Sequence, residues 1–431
     1  MCMYLYHSNP YLTSLFVSYS QTCHTSYRLS IAGAMSKIGC QDCPAISVLQ
    51  WKPGCSDWQQ QWATPSEIGD TGSFSHGLEV LIEPQICLIL ASAKAIRTCS
   101  LCRSSLSEAF CIPQIWWSDY CQNSNGYLGS ESTRHEGTIT GFNTWAYFEV
   151  KQLNASLRYE WVKINIFIRW LVPTNQTIII AFDTKSPTTE CIPEALRNPE
   201  LNELKDPFWV YSRLAPNVVH FQDNAVWAIR NQVRAIETER KPMGRPRPDY
   251  RRLHDIARHA IHVSETLDVT TETMDGIMAQ HDEFLMQGIA IESIDRNTSD
   301  DIHRRLAFCK NMVSNLRHRA ASNRQRLENE IQLAYNTVAQ YDADVSVRIG
   351  RAAQMDSAAM KTVAFLTMAF LPATFLCSIF STSFFDYNAD ANSWTVSSKI
   401  WIYWAFAIPT TFGTFTLWYF WRKVFPPSFI E

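Results

Sequence analysis

Residues 360–384, MKTVAFLTMAFLPATFLCSIFSTSF, decide the fold class of this chain. From Thr362 to Phe385 there are 24 residues without a charged side chain. At about 1.5 Å per residue, a helix of this length crosses a hydrocarbon layer of about 30 Å with some tilt. Buried helices of soluble proteins rarely run uncharged for so long, so this stretch predicts a membrane span.

A second apolar stretch, IWIYWAFAIPTTFGTFTLWYFW, runs from Ile400 to Trp421. Tryptophan and tyrosine lie at both of its ends, which is typical of a membrane interface because these rings have an apolar body and one polar group. Only 14 residues, Asp386 to Lys399, separate the two stretches. The sequence therefore predicts a helical hairpin that crosses the membrane twice.

Positive charges predict the orientation of this hairpin. They flank its outer ends at Arg348, Arg351, Lys361, Arg422 and Lys423. The connecting loop carries only Lys399, against Asp386 and Asp390. Because positive residues stay on the cytosolic side, we expect both chain ends in the cytosol and the loop on the opposite face. The plasma membrane is favoured.

One face of the first span carries small hydroxyl groups. Alternate steps of four and three residues keep to one helix face. Here they select Met360, Ala364, Thr367, Leu371, Thr374, Ser378 and Ser381. Two interpretations stay open: the small side chains let helices pack closely, or the stripe lines a water-filled path in a ring of copies.

Composition limits the function classes. The net charge of −3 argues against nucleic acid as the main partner. A mean hydropathy of −0.15 indicates mostly soluble mass with a small membrane part. No motif supplies a nucleophile together with its base, so we do not expect an enzyme.

Thirteen cysteines are present, and four of them form two Cys-x-x-Cys pairs. Cys40 with Cys43 and Cys99 with Cys102 have the local spacing of a four-thiolate zinc site. The 55 residues between the pairs are too many for a common zinc ribbon, and no neighbouring motif supports one. Free thiols in a reducing cytosol are the favoured interpretation, and no cofactor is expected.

The soluble part combines strands with long helices. In YEWVKINIFIRWL (159–171) a solidly apolar face alternates with a mixed one, which predicts a strand in a mostly antiparallel sheet with helices on one or both faces. Between Pro248 and Pro372 there are 123 residues without proline. An apolar seam with steps of four and three runs from Ile302 to Ile349. One helix is expected from Ser299 to Ser383, about 125 Å long.

This organisation resembles the CorA family of divalent-cation channels. The likeness rests on Met360-Lys361-Thr362, on FLPATF (370–375), and upstream on RQRLENEIQLAYNTVAQYDADV (324–345) and SNGYLGS (124–130). It is strongest over about 300–425. Where the family has Tyr/Phe-Gly-Met-Asn-Phe, this chain has FSTSF (380–384), so it resembles a fungal CorA-like branch that lacks the Gly-Met-Asn signature.

The resemblance implies a homo-pentamer in a lipid membrane that moves Mg²⁺ or another divalent cation. Its pore-lining positions fall on Met360, Val363, Thr367, Leu371, Thr374 and Ser378. Its ion-contacting mouth falls on Ser381, Thr382 and Ser383, with Asp386 and Asp390 as acidic attraction nearby. The alternative is a non-conducting sensor or interaction protein, tethered to the membrane on the same scaffold.

The expected fold class is an α+β cytosolic domain, a very long stalk helix and a C-terminal two-helix transmembrane hairpin. The expected segments are a Cys/Trp-rich region 1–110, the cytosolic domain 111–298, the stalk 299–361, the first span 362–385, the extracytosolic loop 386–399, the second span 400–421 and a cytosolic tail 422–431.

Overall fold

The structure, a computed structural model, describes most of the chain beyond the first 39 residues. The described residues are 40, 43, 45–65, 68, 86–118, 121, 123–135, 137–153, 158–238, 245–287, 295–388 and 392–424; of residues 135, 380–383, 421 and 422 only the backbone is described. The sequence LEVLIEPQICLILAS (78–92) also predicts a strand on each side of Pro84, and the one before Pro84 lies outside these ranges. The chain divides into two compact units, Met1–Lys241 with Pro248–Leu333, and Pro242–Arg247 with Ala334–Glu431.

A seven-stranded sheet forms the centre of the first unit. Its strands are β1 (Ile46–Trp51), β2 (Gln59–Ala63), β3 (Ile86–Ala91), β4 (Gly126–His135), β5 (Thr138–Leu153), β6 (Tyr159–Leu171) and β7 (Gln176–Phe182). They lie in the order β2-β1-β3-β7-β6-β5-β4, and all neighbours are antiparallel except β3 and β7. The predicted, mostly antiparallel sheet is confirmed.

Helices cover both faces of this sheet. One face packs on α1 (Ala93–Thr98) and α2 (Ser100–Phe110), with a core that joins Ile89 and Ile180 of the sheet to Leu106 of α2. The other face packs against α4 (Trp209–Thr238) and α5 (Tyr250–Gln287), while α3 (Thr188–Ala195) lies beside α4. The central strand β7 is therefore buried along its whole length.

The predicted long helix is confirmed as α6, Arg296–Phe384, with 89 residues. Its predicted apolar seam is buried from Ile302 to Leu327, because this part packs into the first unit. The last buried member of the seam is Ala334, whereas Ile349 is 64% exposed. The sequence predicts packing along the whole seam. Within one chain, only the first part of α6 packs in this way.

A β-hairpin connects the two C-terminal helices. Strands β8 (Phe385–Asn388) and β9 (Ser393–Val396) pair antiparallel, and α7 (Trp401–Val424) follows. The backbone N–H of Ser397 donates to the carbonyl of Phe384 at 3.0 Å, which joins the end of β9 to the end of α6. An α+β domain, a very long helix and a C-terminal helical hairpin are together the fold class expected from the sequence.

Candidate functional site

The C-terminal part of α6 is apolar and uncovered in a single chain. Within the described ranges, α6 is the one helix that contains a segment long and apolar enough to cross a membrane, and none of that segment is buried. Helix α7 has the length of a span, but its tryptophans and tyrosines lower its hydropathy. An exposed apolar helix needs lipid or other copies to cover it.

Helix α7 packs against one side of α6. The hydroxyl of Tyr403 donates to the carbonyl of Ala373 at 3.4 Å, and the rings of Phe365 and Phe415 lie 5.3 Å apart between centroids. The half-buried positions of this part of α6 fall on the same side and include Met368, Ala369, Pro372, Ala373 and Leu376. This side of α6 is the hairpin face.

The predicted pore-lining residues lie on the opposite side of the helix. At about 100° per residue, their positions centre roughly 160–200° from the hairpin face. All six are exposed: Met360, Val363, Thr367, Leu371, Thr374 and Ser378. We call this side the stripe face. In one chain no described residue covers it, so the fold leaves it available to other copies or to lipid.

The hydroxyl groups on the stripe face already have hydrogen-bond acceptors. Thr367 donates to the carbonyl of Val363 at 2.8 Å, and Thr374 donates to that of Phe370 at 2.9 Å. Ser378 does the same with Phe375 at 2.8 Å. Such bonds satisfy the donor in an apolar environment while the oxygen can still accept from water. The geometry is therefore compatible with both interpretations of the stripe.

The predicted mouth is only partly described. Ser381, Thr382 and Ser383 lie in the last turn of α6, of which the structure describes the backbone. Asp386 is an exposed residue of β8, two positions beyond the helix end. Asp390 lies outside the described residues. The role of Asp386 and Asp390 at a mouth stays a prediction.

A second site lies in the first unit, which we call the soluble unit. It brings together the two Cys-x-x-Cys pairs. The sulfur atoms of Cys40, Cys43, Cys99 and Cys102 all lie within 4.8 Å of one another, and those of Cys40 and Cys99 are 3.5 Å apart. We call these four residues the cysteine cluster. Its Cys102 is fully buried, and the other three pack against the core beneath it.

Strand pairing explains why pairs so distant in sequence meet. Ser47 at the start of β1 pairs with Leu90 at the end of β3, because the two strands are antiparallel. The segment before β1 and the segment after β3 therefore leave the sheet at the same end. Cys40 and Cys43 lie in the first segment, and the second leads through α1 to Cys99 and Cys102. The spacing alone carries no sign of this pairing.

Helix α2 presents its N-terminus to the cluster. Cys99 is the N-cap residue of α2, and Cys102 lies in its first turn. The backbone N–H of Cys102 lies near enough to the Cys99 sulfur to lower the pKa of that thiol to about 7, although it makes no full capping bond. This helix end stabilises a thiolate.

The chain is similar to a curated protein and to solved structures. No family model matches the chain. Notoamide biosynthesis cluster protein M′ of Aspergillus versicolor is 30% identical over 292 residues, which are 62% of this chain and 61% of that protein. The match thus spans less than two thirds of the length of this curated relative.

The two solved structures are more distant in sequence. The full-length CmaX protein is 13% identical with a TM-score of 0.47, over 89% of this chain and 99% of that one. The ZntB cytoplasmic domain from Vibrio parahaemolyticus is 9% identical with a TM-score of 0.37, over 67% of this chain and 98% of that domain.

Proposed function

We propose that this chain is the subunit of a homo-oligomeric, CorA-like membrane pore for divalent cations, with Mg²⁺ as the first candidate ion. The observation that carries the proposal is the position of the stripe face opposite the hairpin face. In a ring of copies, α7 would lie outside next to lipid, and the stripe would line the central path. Both chain ends would then be cytosolic.

The side chains of the stripe suit a path for hydrated ions. Mg²⁺ dehydrates reluctantly and is recognised through its water shell. The oxygens of Thr367, Thr374 and Ser378 can accept hydrogen bonds from that shell, while Met360 and Val363 would form a hydrophobic constriction of the kind that gates by dewetting. The short side chain of Ser383, where the resemblance places asparagine, makes weaker selection among ions the expected outcome.

A non-conducting sensor or interaction protein is the second candidate function. It is favoured by the intrahelical bonds of the stripe hydroxyls, which let these groups pack against other helices without water. The absence of Gly-Met-Asn points the same way. On this alternative the stripe is a packing surface, and the oligomer transmits binding in the soluble unit without a flux.

Flux through purified protein in liposomes separates the two functions. We expect uptake of Mg²⁺, Co²⁺, Ni²⁺ or Zn²⁺ above that of empty vesicles. Thr374→Leu should lower this uptake about tenfold or more, because a ring of leucines narrows and dries the path. Equal uptake in wild type and Thr374→Leu would contradict a conducting stripe.

Thr416→Leu is the matched control for this experiment. Thr416 lies in the middle of α7, is exposed, and donates to the carbonyl of Phe412, as Thr374 does to that of Phe370. Its position on α7 is turned away from α6, so its replacement should leave uptake unchanged. If both variants lose flux with unchanged oligomeric mass, the loss comes from apolar substitution in the hairpin and not from the stripe.

A further inference from the structure

The cysteine cluster has the dimensions of a mononuclear metal site. A tetrahedral ion with metal–sulfur bonds of about 2.3 Å holds its four sulfurs about 3.8 Å apart. The observed sulfurs all lie within 4.8 Å of one another, and those of Cys40 and Cys99 are 3.5 Å apart, which is the range that such an ion requires. A cluster of several irons and sulfides would need its ligands farther apart.

Two disulfides fit this arrangement less well. A disulfide joins two sulfurs at about 2.05 Å and leaves each bonded pair independent of the other. Here all four sulfurs lie within 4.8 Å of one another, so the two Cys-x-x-Cys pairs form one group, as ligands around one centre do. All eleven cysteines among the described residues are free thiols, and seven of them take no part in the cluster.

We propose that the cysteine cluster binds one structural zinc ion. Four thiolates complete a tetrahedral shell with no place for water or substrate, which is typical of structural sites. On binding, the thiols lose their protons to solvent and the sulfurs bond the metal, with no change of oxidation state. The ion is thus separate from any ion that passes the membrane hairpin.

The position of the cluster indicates what the zinc would stabilise. The segment that contains Cys40 and Cys43 leads into β1, near one edge of the sheet, while Cys102 is anchored in the core through α2. The strand β2 at that edge is largely exposed. Zinc would link the segment before β1 to the first turn of α2 and so close a loop of about 55 residues, which would hold the edge strands against α2.

Metal analysis of the full-length protein in detergent tests the proposal. We expect elemental mass spectrometry to find about one zinc ion per chain in the wild type. Cys40→Ser should lower the zinc content about tenfold or more, because a tetrahedral site that loses one thiolate binds far more weakly. Cys55→Ser is the matched control, since Cys55 lies beyond β1 at the opposite end of the sheet, and should keep the full content.

Wild-type protein alone gives a second readout that does not depend on a variant that folds. A zinc chelator should release the ion, lower the unfolding temperature, and raise the number of alkylated cysteines by four. Cobalt in place of zinc should give the visible absorption of a tetrahedral thiolate site. In Thr374→Leu the zinc should stay at wild-type content whether or not ions are transported.

Four results would overturn the proposal. Iron with acid-labile sulfide would make the cluster an iron–sulfur site, and iron alone would make it a mononuclear iron site. Two disulfides without metal in protein purified under reducing and anaerobic conditions would make it a redox pair. Four freely alkylated thiols in wild type, with no metal after addition of Zn²⁺, would leave it a set of packed cysteines.

Discussion

A single carboxylate, Glu203, ties three segments of the soluble unit together. It is 3% exposed and accepts bonds from Arg213 of α4 and Arg305 of α6. Burial raises the pKa of Glu203, but the hydrogen bonds of the two guanidinium groups outweigh it, so the pKa lies below the usual 4.5. The lowered pKa favours the ionised carboxylate, and the two arginines share its single negative charge.

Removal of this charge should destabilise the protein. Glu203→Gln leaves two arginines without their partner, and a broken buried ion pair costs about 3 kcal/mol or more. Chemical denaturation followed by tryptophan fluorescence should show a lower midpoint. Glu194→Gln is the control, since Glu194 is 68% exposed beside Arg197 and should change the stability by less than about 0.5 kcal/mol.

The sign of the pH dependence follows from the lowered pKa of Glu203. Its contribution to stability is fully present above pH 4.5 and is lost as pH falls through the folded-state pKa. The wild type should therefore lose more stability than Glu203→Gln between pH 7 and pH 3. Parallel pH profiles of the two proteins would mean that the arginines do not hold the carboxylate ionised.

Asp386 gives a prediction about ion attraction at the predicted mouth. Repeated around an oligomer, this exposed carboxylate would concentrate cations. Asp386→Asn should lower uptake most at low ionic strength, because salt screens such attraction over about 8 Å at 0.15 M. Asp255→Asn in α5 removes another exposed carboxylate, from the soluble unit, and should have no effect. A loss that is independent of salt would assign Asp386 a structural role.

At the scale of elements, the SNGYLGS motif has a packing explanation. In β4, a Cβ atom on Gly129 would lie 2.1 Å from the indole of Trp145 on the neighbouring strand. The indole occupies the space that a side chain at position 129 would need, so the glycine lets a large aromatic residue cross β4. The glycine is thus required by a contact between strands, which an isolated reading of the motif does not show.

Gly129→Ala should lower the stability by about 1–3 kcal/mol, because the added methyl must displace the indole. Thermal unfolding followed by circular dichroism measures the effect. Gly350→Ala is the control: nothing lies within 4 Å of its Cβ position in α6, and alanine favours a helix by up to about 1 kcal/mol. If both variants unfold at the wild-type temperature, Trp145 is free to move aside.

Elements with one dominant periodicity could be predicted from sequence, and those made by distant pairing could not. The strand over 159–171 and the long helix follow from local alternation and from steps of four and three. The parallel pairing of β3 with β7 and the antiparallel pairing of β1 with β3 depend on which edges meet in space. The cysteine cluster is a consequence of this strand order. For this reason the sequence alone favours free thiols over a four-cysteine site.

At the scale of the whole molecule, the apolar seam of α6 is buried in its first part and exposed in its last part. The seam as far as Leu327 is buried inside the first unit, so it supplies no surface for oligomerisation. The surface that does remain belongs to the second unit by itself. It consists of the seam beyond Ala334 and the stripe face, where Met360, Val363 and Leu371 are all more than 60% exposed.

These surfaces predict a closed homo-oligomer, and the CorA resemblance implies five copies. Lipid can cover apolar side chains, but a ring brings equivalent faces together around one axis, where the small hydroxyl residues let the helices pack closely. In a background with Cys377 replaced, Leu371→Cys should form disulfides between chains under mild oxidation, and light scattering should give a pentamer mass. Phe412→Cys, 71% exposed on α7 and turned away from α6, should stay monomeric on denaturing gels. Cross-links at residue 412 without cross-links at residue 371 would indicate the opposite arrangement, with α7 around the axis and the stripe face against lipid.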